Sequence, residues 1–596
     1  MRHTGYLPLR AYAVIGDGRT VGLVSNHGSV DWLCLPNLDS PSVFGGVLDA
    51  EKGGGFSLAP QIPFTSSRRY VPETNVLETV FETEAGTVQV TDAMLLPDSN
   101  LSPARELARR VDGVSGQVPM HWRVEPRFGY ASRQIQVGSR AGTPTISAGK
   151  DALAVSVWEA GSPILGDAAV HGSFRVGAGS RSLLALSAAH QEPLVLPSRD
   201  EVESRLSSTT GFWKKWAAGR TIEGPWREAV ARSALVLKLL IHSPSGAIAA
   251  AGTTSLPEQI GGARNWDYRF CWVRDSAFTL NALLELGCLE EGESFFWWLL
   301  HASQLTHPQL RVLYRLNGDA RSPESVLPLA GYRDSTPVRV GNAAAGQDQL
   351  DIYGDLLQAA WLHAVTNGRL DSETGKRLAE IADLVCEIWR RPDSGIWEVR
   401  SEPLHFTHSK MMCWVALDRA VRLSKLGLVP RDHERRWRAE AQAILDFIET
   451  RCWSDDLESY VRSPESEELD ASLLLGALMD YPSARDPQMR KTISALRRRL
   501  GSGPLLDRYR GEDGLAGTEG AFLCCSFWLV DALARADRFE EATSLMDELI
   551  GLANDVGLYA EELDQQSDAF LGNMPQALVH LALINAAVSL TKAGRG

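Results

Sequence analysis

The chain has 596 residues, 44% of them hydrophobic and 22% charged, enough apolar material for one or two large cores. Sixty Lys and Arg against 74 Asp and Glu leave a formal charge of −14, and no long basic run interrupts it. That balance argues against nucleic acid and for a neutral or weakly charged small molecule as partner. Seventeen Trp beside 12 Tyr and 17 Phe supply core volume first and flat ligand-binding faces second. Residues 1–10 lack an apolar signal core, and no uncharged apolar run reaches 18 residues, so neither a secretory leader nor a membrane span is expected. The eight cysteines are scattered without CxxC spacing, which predicts reduced thiols in a cytoplasmic protein, with no zinc site or disulfide framework.

In chain order, the first third has strand character. Residues 15–44 set short apolar runs between Gly, Ser, Asn and Asp, and Val76–Val90 reads as a hairpin around Ala85-Gly86. Further runs at 121–125, 152–158 and 182–187 predict an N-terminal antiparallel β-sandwich over residues 1–199. From 200 to 222 the pattern is a linker helix. Beyond it, twelve helical segments are predicted near 225–243, 275–288, 290–305, 349–366, 372–391, 408–426, 433–451, 468–480, 486–499, 519–536, 538–553 and 575–592. Short Gly- or Pro-bearing turns join several of them as αα-hairpins, and no repeating period suggests a solenoid. Six such hairpins predict an (α/α)6 barrel over 223–596.

Three polar loops interrupt the helices. Arg264–Ser276 packs three Arg, two Asp and two Trp before a helix. Asp275 could cap that helix and pair with Arg274, or the two could bind vicinal hydroxyls beside Trp272. In Gly395–Ser409, Glu398 follows Trp397; an indole neighbour could desolvate the carboxyl as a general acid requires, or Arg390 or Arg400 could pair with it at the surface. His405 and His408 lack a third ligand, so packing or capping is expected of them rather than a metal. In the third loop Glu561, Glu562 and Asp564 precede the last helix, where acids suit the macrodipole or a catalytic carboxylate pair. Residues 332–351 and 507–520 read as ordinary solvated loops.

These motifs resemble glycoside hydrolase family 15, which holds glucoamylases, glucodextranases and microbial trehalases. Leu23–Pro36 with Asp39–Phe44 is similar to the trehalase-like N-terminal domain of its bacterial members. Arg264–Arg269 with Trp272–Asp275 resembles the family's sugar-binding loop, and Tyr559–Asp564 with Gly572–Ala577 its C-terminal catalytic segment. The chain departs from the usual bacterial His-Leu before Gly-Tyr, reading Pro328-Leu329 before Gly331-Tyr332.

The resemblance implies an inverting, exo-acting hydrolase that releases β-glucose from the non-reducing end of an α-glucoside. Trehalose or a short α-glucoside is favoured. A glucoamylase or glucodextranase on maltooligosaccharides or isomaltooligosaccharides is the alternative, and a phosphorylase a further one, disfavoured by the presence of Glu561. Glu398 is the implied general acid and Glu561 the general base, with Glu562 one residue away as its rival. Arg274, Asp275, Trp272, Trp397 and Arg508 are the implied substrate-binding residues. No metal or organic cofactor is required, no nucleic-acid or membrane partner is expected, and a homo-oligomer is left open.

Overall fold

A computed structural model describes residues 5–97, 105–464, 466–481, 483–511, 513–515 and 517–594. Its N-terminal third is a large antiparallel sheet whose fifteen strands connect through one long strand, Arg105–Glu125. The first half of that strand pairs with Gly86–Leu95 and Arg181–His190, the second half with Gly55–Pro60 and Val170–Gly177. Between the halves, residues 114–117 are exposed and Gly116 has φ 66°. Beyond this break Val118, Met120, Trp122 and Val124 are fully buried, the period-two pattern of a strand with one face on a core. The two halves meet where Arg109 donates to the Phe56 carbonyl (2.9 Å) and Tyr70 Oη to the Val14 carbonyl (2.7 Å). The hairpin around Ala85-Gly86 is present, Leu77–Thr83 pairing with Gly86–Leu95.

Thirteen helices follow among the described residues. They are α1 (Arg199–Ala218), α2 (Arg227–Leu240), α3 (Ser276–Glu285), α4 (Leu289–Ser303), α5 (Ile352–Asn367), α6 (Ser372–Ile388) and α7 (Thr407–Lys425). The rest are α8 (Glu434–Arg451), α9 (Leu474–Leu478), α10 (Pro487–Leu500), α11 (Leu523–Arg535), α12 (Phe539–Ile550) and α13 (Ala577–Ala593). Local chemistry sets several starts. Ser198 and Glu201 form a capping box on α1, Asp371 caps α6, and Asp486 caps α10 ahead of Pro487. The odd-numbered helices from α3 onward touch in a closed cycle: α3 on α5, α5 on α7, α7 on α9, α9 on α11, α11 on α13 and α13 on α3. Even-numbered helices pack against them, as α8 does on α7 and α12 on α11 and α13.

Several predicted helices are shorter than their sequence pattern, and in two of them a distant partner explains the loss. The segment 468–480 begins with extended Asp470, bridged to Tyr509, and only Leu474–Leu478 is α-helical. The Asp470 carboxylate caps Ser472 and accepts the Trp397 indole N–H, which fixes the chain outside the helix. In 519–536, Ala521–Phe522 is recruited as a strand by Glu562–Leu563, so α11 starts at Leu523. All eight cysteines are buried and free, and no helix among the described residues is long and apolar enough to cross a membrane.

Candidate active site

The segment 265–272 alternates aromatic and non-aromatic residues. Trp266, Tyr268, Phe270 and Trp272 gather in one buried cluster with Ala250, Ala251, Val312 and Leu313. The intervening Asp267 and Arg269 pair with each other (2.7 Å), and Arg269 donates to the Ser40 carbonyl of the β-domain (2.8 Å). Burial opposes the Arg269 charge, but Asp267 overrides it and holds the guanidinium above its ordinary value. The β-domain segment 34–44 therefore buttresses the aromatic strand from behind. The Asp267 carboxylate also accepts the Gly341 N–H (3.0 Å), which ties in the loop that follows Tyr332.

Glu398 lies in the loop between α6 and α7 with φ 55°, a left-handed conformation that a glutamate holds only when its surroundings demand it. Its Oε1 accepts the Trp272 indole N–H (2.7 Å) and Arg274 Nη1 (2.6 Å), and its Oε2 accepts the Tyr268 hydroxyl (3.2 Å). Arg274 also donates to the Ile396 carbonyl (2.7 Å) and to Asp275 (3.2 Å). Burial works against the Arg274 charge, yet Glu398 and Asp275 hold the guanidinium above its ordinary value. Burial raises the Asp275 carboxyl although Arg274 pulls it down.

The two surface partners considered for Glu398 are engaged elsewhere, Arg400 with Glu324 (3.0 Å) and Arg390 with Glu440 (2.7 Å). Trp397 and Glu398 line the same cavity, but the polar contacts of Glu398 come from elsewhere in the chain. Trp397 turns its N–H to Asp470 (2.9 Å), and Glu398 is surrounded by three donors from 130 residues or fewer upstream. Asp275 precedes α3 without a side-chain capping bond, so capping is not its role.

Glu561 and Glu562 point to different neighbours, as adjacent residues in extended backbone do. Glu561 accepts the Asn573 N–H at Oε2 (3.0 Å) and Gln576 Nε2 at Oε1 (3.0 Å). Burial raises its carboxyl above the usual range, Arg508 and Arg274 lower it, and Glu398 adds to the rise. Gly572 makes room for it: at φ 70°, a Cβ there would sit 2.6 Å from the Glu561 Cβ. Glu562 Oε2 accepts the Gly520 N–H (2.8 Å), whereas its buried Oε1 has no hydrogen bond. Burial and Glu258 hold the Glu562 carboxyl well above its ordinary value.

Glu258, Glu519 and Glu562 bring carboxylate oxygens within 4.8 Å of one another. The counter-charge there is guanidinium. Arg508 forks onto Glu519 (Nε–Oε1 2.9 Å), and Arg264 reaches both Glu519 (3.0 Å) and Asp513 (2.6 and 3.0 Å). Arg508 also stacks over Trp397 and Phe522.

A cavity lined by Tyr268, Trp397, Glu398, Arg508, Glu258 and Arg264 connects Glu398 with the Arg508 cluster, whereas Glu561, Glu562, Arg274, Asp275 and Trp272 are not among its lining residues. Asn342, Gln347, Asp513 and Leu515 also line it, so the segments 332–351 and 507–520 are walls of the site rather than solvated loops. Within the second segment, residues 512 and 516 lie outside the described residues. Tyr268, Glu258, Arg264, Asp513, Glu519, Gln347, Asn573 and Gln576 were not among the sequence-predicted site residues. Arg264 and Tyr268 lie in the Arg264–Ser276 loop, and Asn573 and Gln576 in the Gly572–Ala577 segment, both singled out in the sequence without a role for these residues; Glu258 carried no such signal. His408 is buried within α7 and joins no metal-binding group among the described residues.

The description of glycosyl hydrolases family 15 matches residues 224–588, and that of a trehalase-like N-terminal region matches residues 5–159. A trehalase of Mycolicibacterium smegmatis is 37% identical over 639 residues, covering 98% of this chain and 92% of that protein. A trehalase of Thermoplasma volcanium is 33% identical over 598 residues, covering 99% and 94%. In fold, the chain is similar to a bacterial glucoamylase solved with acarbose, at a TM-score of 0.72 and 13% identity over 99% of this chain and 95% of that one. With the family description covering more than half of the sequence, the chain belongs to glycosyl hydrolases family 15 and is a glycoside hydrolase.

Proposed function

We propose that the protein is an inverting, exo-acting hydrolase that removes glucose from the non-reducing end of an α-glucoside, with trehalose as its substrate. The observation that carries this reading is the convergence of two carboxylates, half-buried Glu398 and buried Glu561, on the surroundings of Arg274 and Arg508. Similarity along nearly the whole chain to proteins named trehalase supports the choice of substrate.

In this mechanism Glu398, protonated, donates to the glycosidic oxygen. Glu561, ionised, takes a proton from the water that attacks the opposite face of the anomeric carbon. The donors from Asn573 and Gln576 fix the Glu561 carboxylate and leave its remaining lone pairs for that water. Arg274 and Asp275 bind hydroxyls of the non-reducing glucose, and Trp272 and Trp397 present their faces to it. Arg508 and Glu562 act on the leaving-group side. Inversion needs a carboxyl separation of about 6.5–9.5 Å to admit the water. Positioned acid and base groups each contribute about 10²–10⁴-fold.

For the architecture, we read residues 1–199 as a β-sandwich, 200–222 as a linker helix and 223–596 as an (α/α)6 barrel. The closed cycle of odd-numbered helices supports the barrel, and the contacts between the two halves of the long strand support the sandwich. Eight free thiols support a cytoplasmic location.

Time-resolved proton NMR with trehalose, maltose, isomaltose and a maltooligosaccharide tests the function. Inverting cleavage of trehalose releases one β-glucose and one α-glucose, so the two anomers should rise equally before mutarotation. α-Glucose alone at early times would overturn inversion. Cleavage of the maltooligosaccharide with trehalose untouched would overturn the substrate and favour a glucoamylase.

A further inference from the structure

Glu258 is buried, at 2% exposure, yet it has no role assigned from the sequence and the proposed mechanism gives it no part. It follows the strand Thr254–Pro257 and lines the cavity that holds Trp397, Glu398 and Arg508. Its backbone is fixed: the Glu258 N–H donates to the Arg264 carbonyl (3.1 Å), and the adjacent Pro257 carbonyl accepts from Gly572, the residue packed on Glu561. Its carboxylate is not satisfied. Oε2 accepts no hydrogen bond, and the nearest guanidinium nitrogens, on Arg508 and Arg264, stand 3.6 and 4.0 Å away. Both arginines are drawn off by other acids, Arg508 by Glu519 and Arg264 by Asp513 and Glu519. Burial pushes the Glu258 carboxyl up to about 8, and a buried carboxyl oxygen without a hydrogen bond is costly in a folded protein unless a partner arrives from outside. The group entering this cavity is a sugar, and its hydroxyls are such partners.

We infer that Glu258 is a specificity-determining residue, accepting hydrogen bonds from hydroxyls of the leaving-group sugar beside Arg508. The inference rests on the hydrolase reading above and sharpens it. The enzyme should recognise both halves of a disaccharide rather than a glucosyl group with any leaving group. The unpaired Glu562 oxygen, 3.9 Å from the same Arg508 nitrogen, lies on the same side. A bound cation is the less favourable occupant of the carboxylate cluster, because two guanidiniums already supply positive charge there.

The test compares trehalose with α-glucosyl fluoride, whose leaving group carries no hydroxyl. Glu258→Ala should lower kcat/KM for trehalose about 10- to 100-fold and leave kcat/KM for the fluoride within about two-fold. Glu258→Gln, which keeps the shape and one acceptor oxygen, should lose less on trehalose; it carries the test if the alanine variant fails to fold, as checked by thermal melting. Equal losses on both substrates, with a displaced acid limb in the pH profile, would mean that Glu258 acts through Glu561 and would overturn the inference. Unchanged kinetics on both would overturn it too. A wild-type enzyme that cleaves the fluoride but no disaccharide would overturn the substrate reading itself, and so is distinguishable from failure of Glu258 alone.

Discussion

Gln576→Met probes the proposed base without touching it. The Gln576 amide donates to Glu561 Oε1 at 3.0 Å, and its own buried oxygen has no partner. Methionine fills similar volume and removes both the donor and the unpaired acceptor, so the fold should persist, with the fall in melting temperature concentrated at pH values where Glu561 is ionised. The effect should appear in the pH profile. Burial raises the Glu561 carboxyl above the ordinary glutamate value of about 4.3, so the acid limb of kcat/KM already stands above the usual carboxylate range. A hydrogen bond to an ionised group is worth about 1.5–3 kcal/mol, and about 1.4 kcal/mol corresponds to one pH unit. Loss of the Gln576 donor should therefore move the acid limb up by about one to two pH units. On that limb the rate follows the ionised fraction, so activity falls about ten-fold for each unit moved, while the plateau at higher pH stays nearly level. Initial rates of glucose release from pH 4 to 9, for wild type and variant, read the displacement directly. A uniform loss at every pH with the limb in place would refute the assignment of Glu561 as the titrating base.

Three further outcomes are expected. Glu398→Gln and Glu561→Gln should each lose about 10²–10⁴-fold in kcat on trehalose while calorimetry still detects sugar binding; more than a tenth of wild-type activity in either variant would contradict its role. Burial and Glu258 raise the Glu562 carboxyl in the folded protein, so folding is penalised increasingly as pH rises from about 4.3 through the raised value. Glu562→Gln should thus raise the melting temperature at pH 8 more than at pH 5, and an equal change at both would argue against a buried charge there. Arg269→Met strands the buried Asp267 carboxylate and should cost about 3–5 kcal/mol in urea unfolding. A loss under about 1 kcal/mol would show that the link between the β-domain and the aromatic strand is not a structural support.

The helical half was legible because its signals are local. Periodic burial along α6, α8, α10 and α12, long apolar runs along α3, α7, α11 and α13, and the short turns between helices all come from near neighbours in sequence. In two helices where prediction overran, a distant partner had claimed the residues: Asp470 for Tyr509 and Trp397, and Ala521–Phe522 for Glu562–Leu563. The same division holds in the β-domain. The Val76–Val90 hairpin is set by its turn, whereas joining fifteen strands through Arg105–Glu125 depends on pairings far apart in the chain.

At the site, the sequence by itself determined which residues could do chemistry. Arg274, Asp275, Glu398, Glu561 and Glu562 stand in motifs whose composition is unusual for a loop. Only the tertiary structure decided what each one meets. Glu398 takes its three donors from Tyr268, Trp272 and Arg274, more than 120 residues away in sequence, rather than from Arg400 two residues on. Glu561 turns to Asn573 and Gln576, and Glu562 to Gly520 and the acids around Arg508. Two adjacent glutamates in extended backbone must face apart, but no local feature says which face meets which neighbours. Glu258, Asp513 and Glu519 were silent in the sequence for the same reason. A lone carboxylate gains its character from burial and from the charges packed against it, and both are properties of the assembled fold.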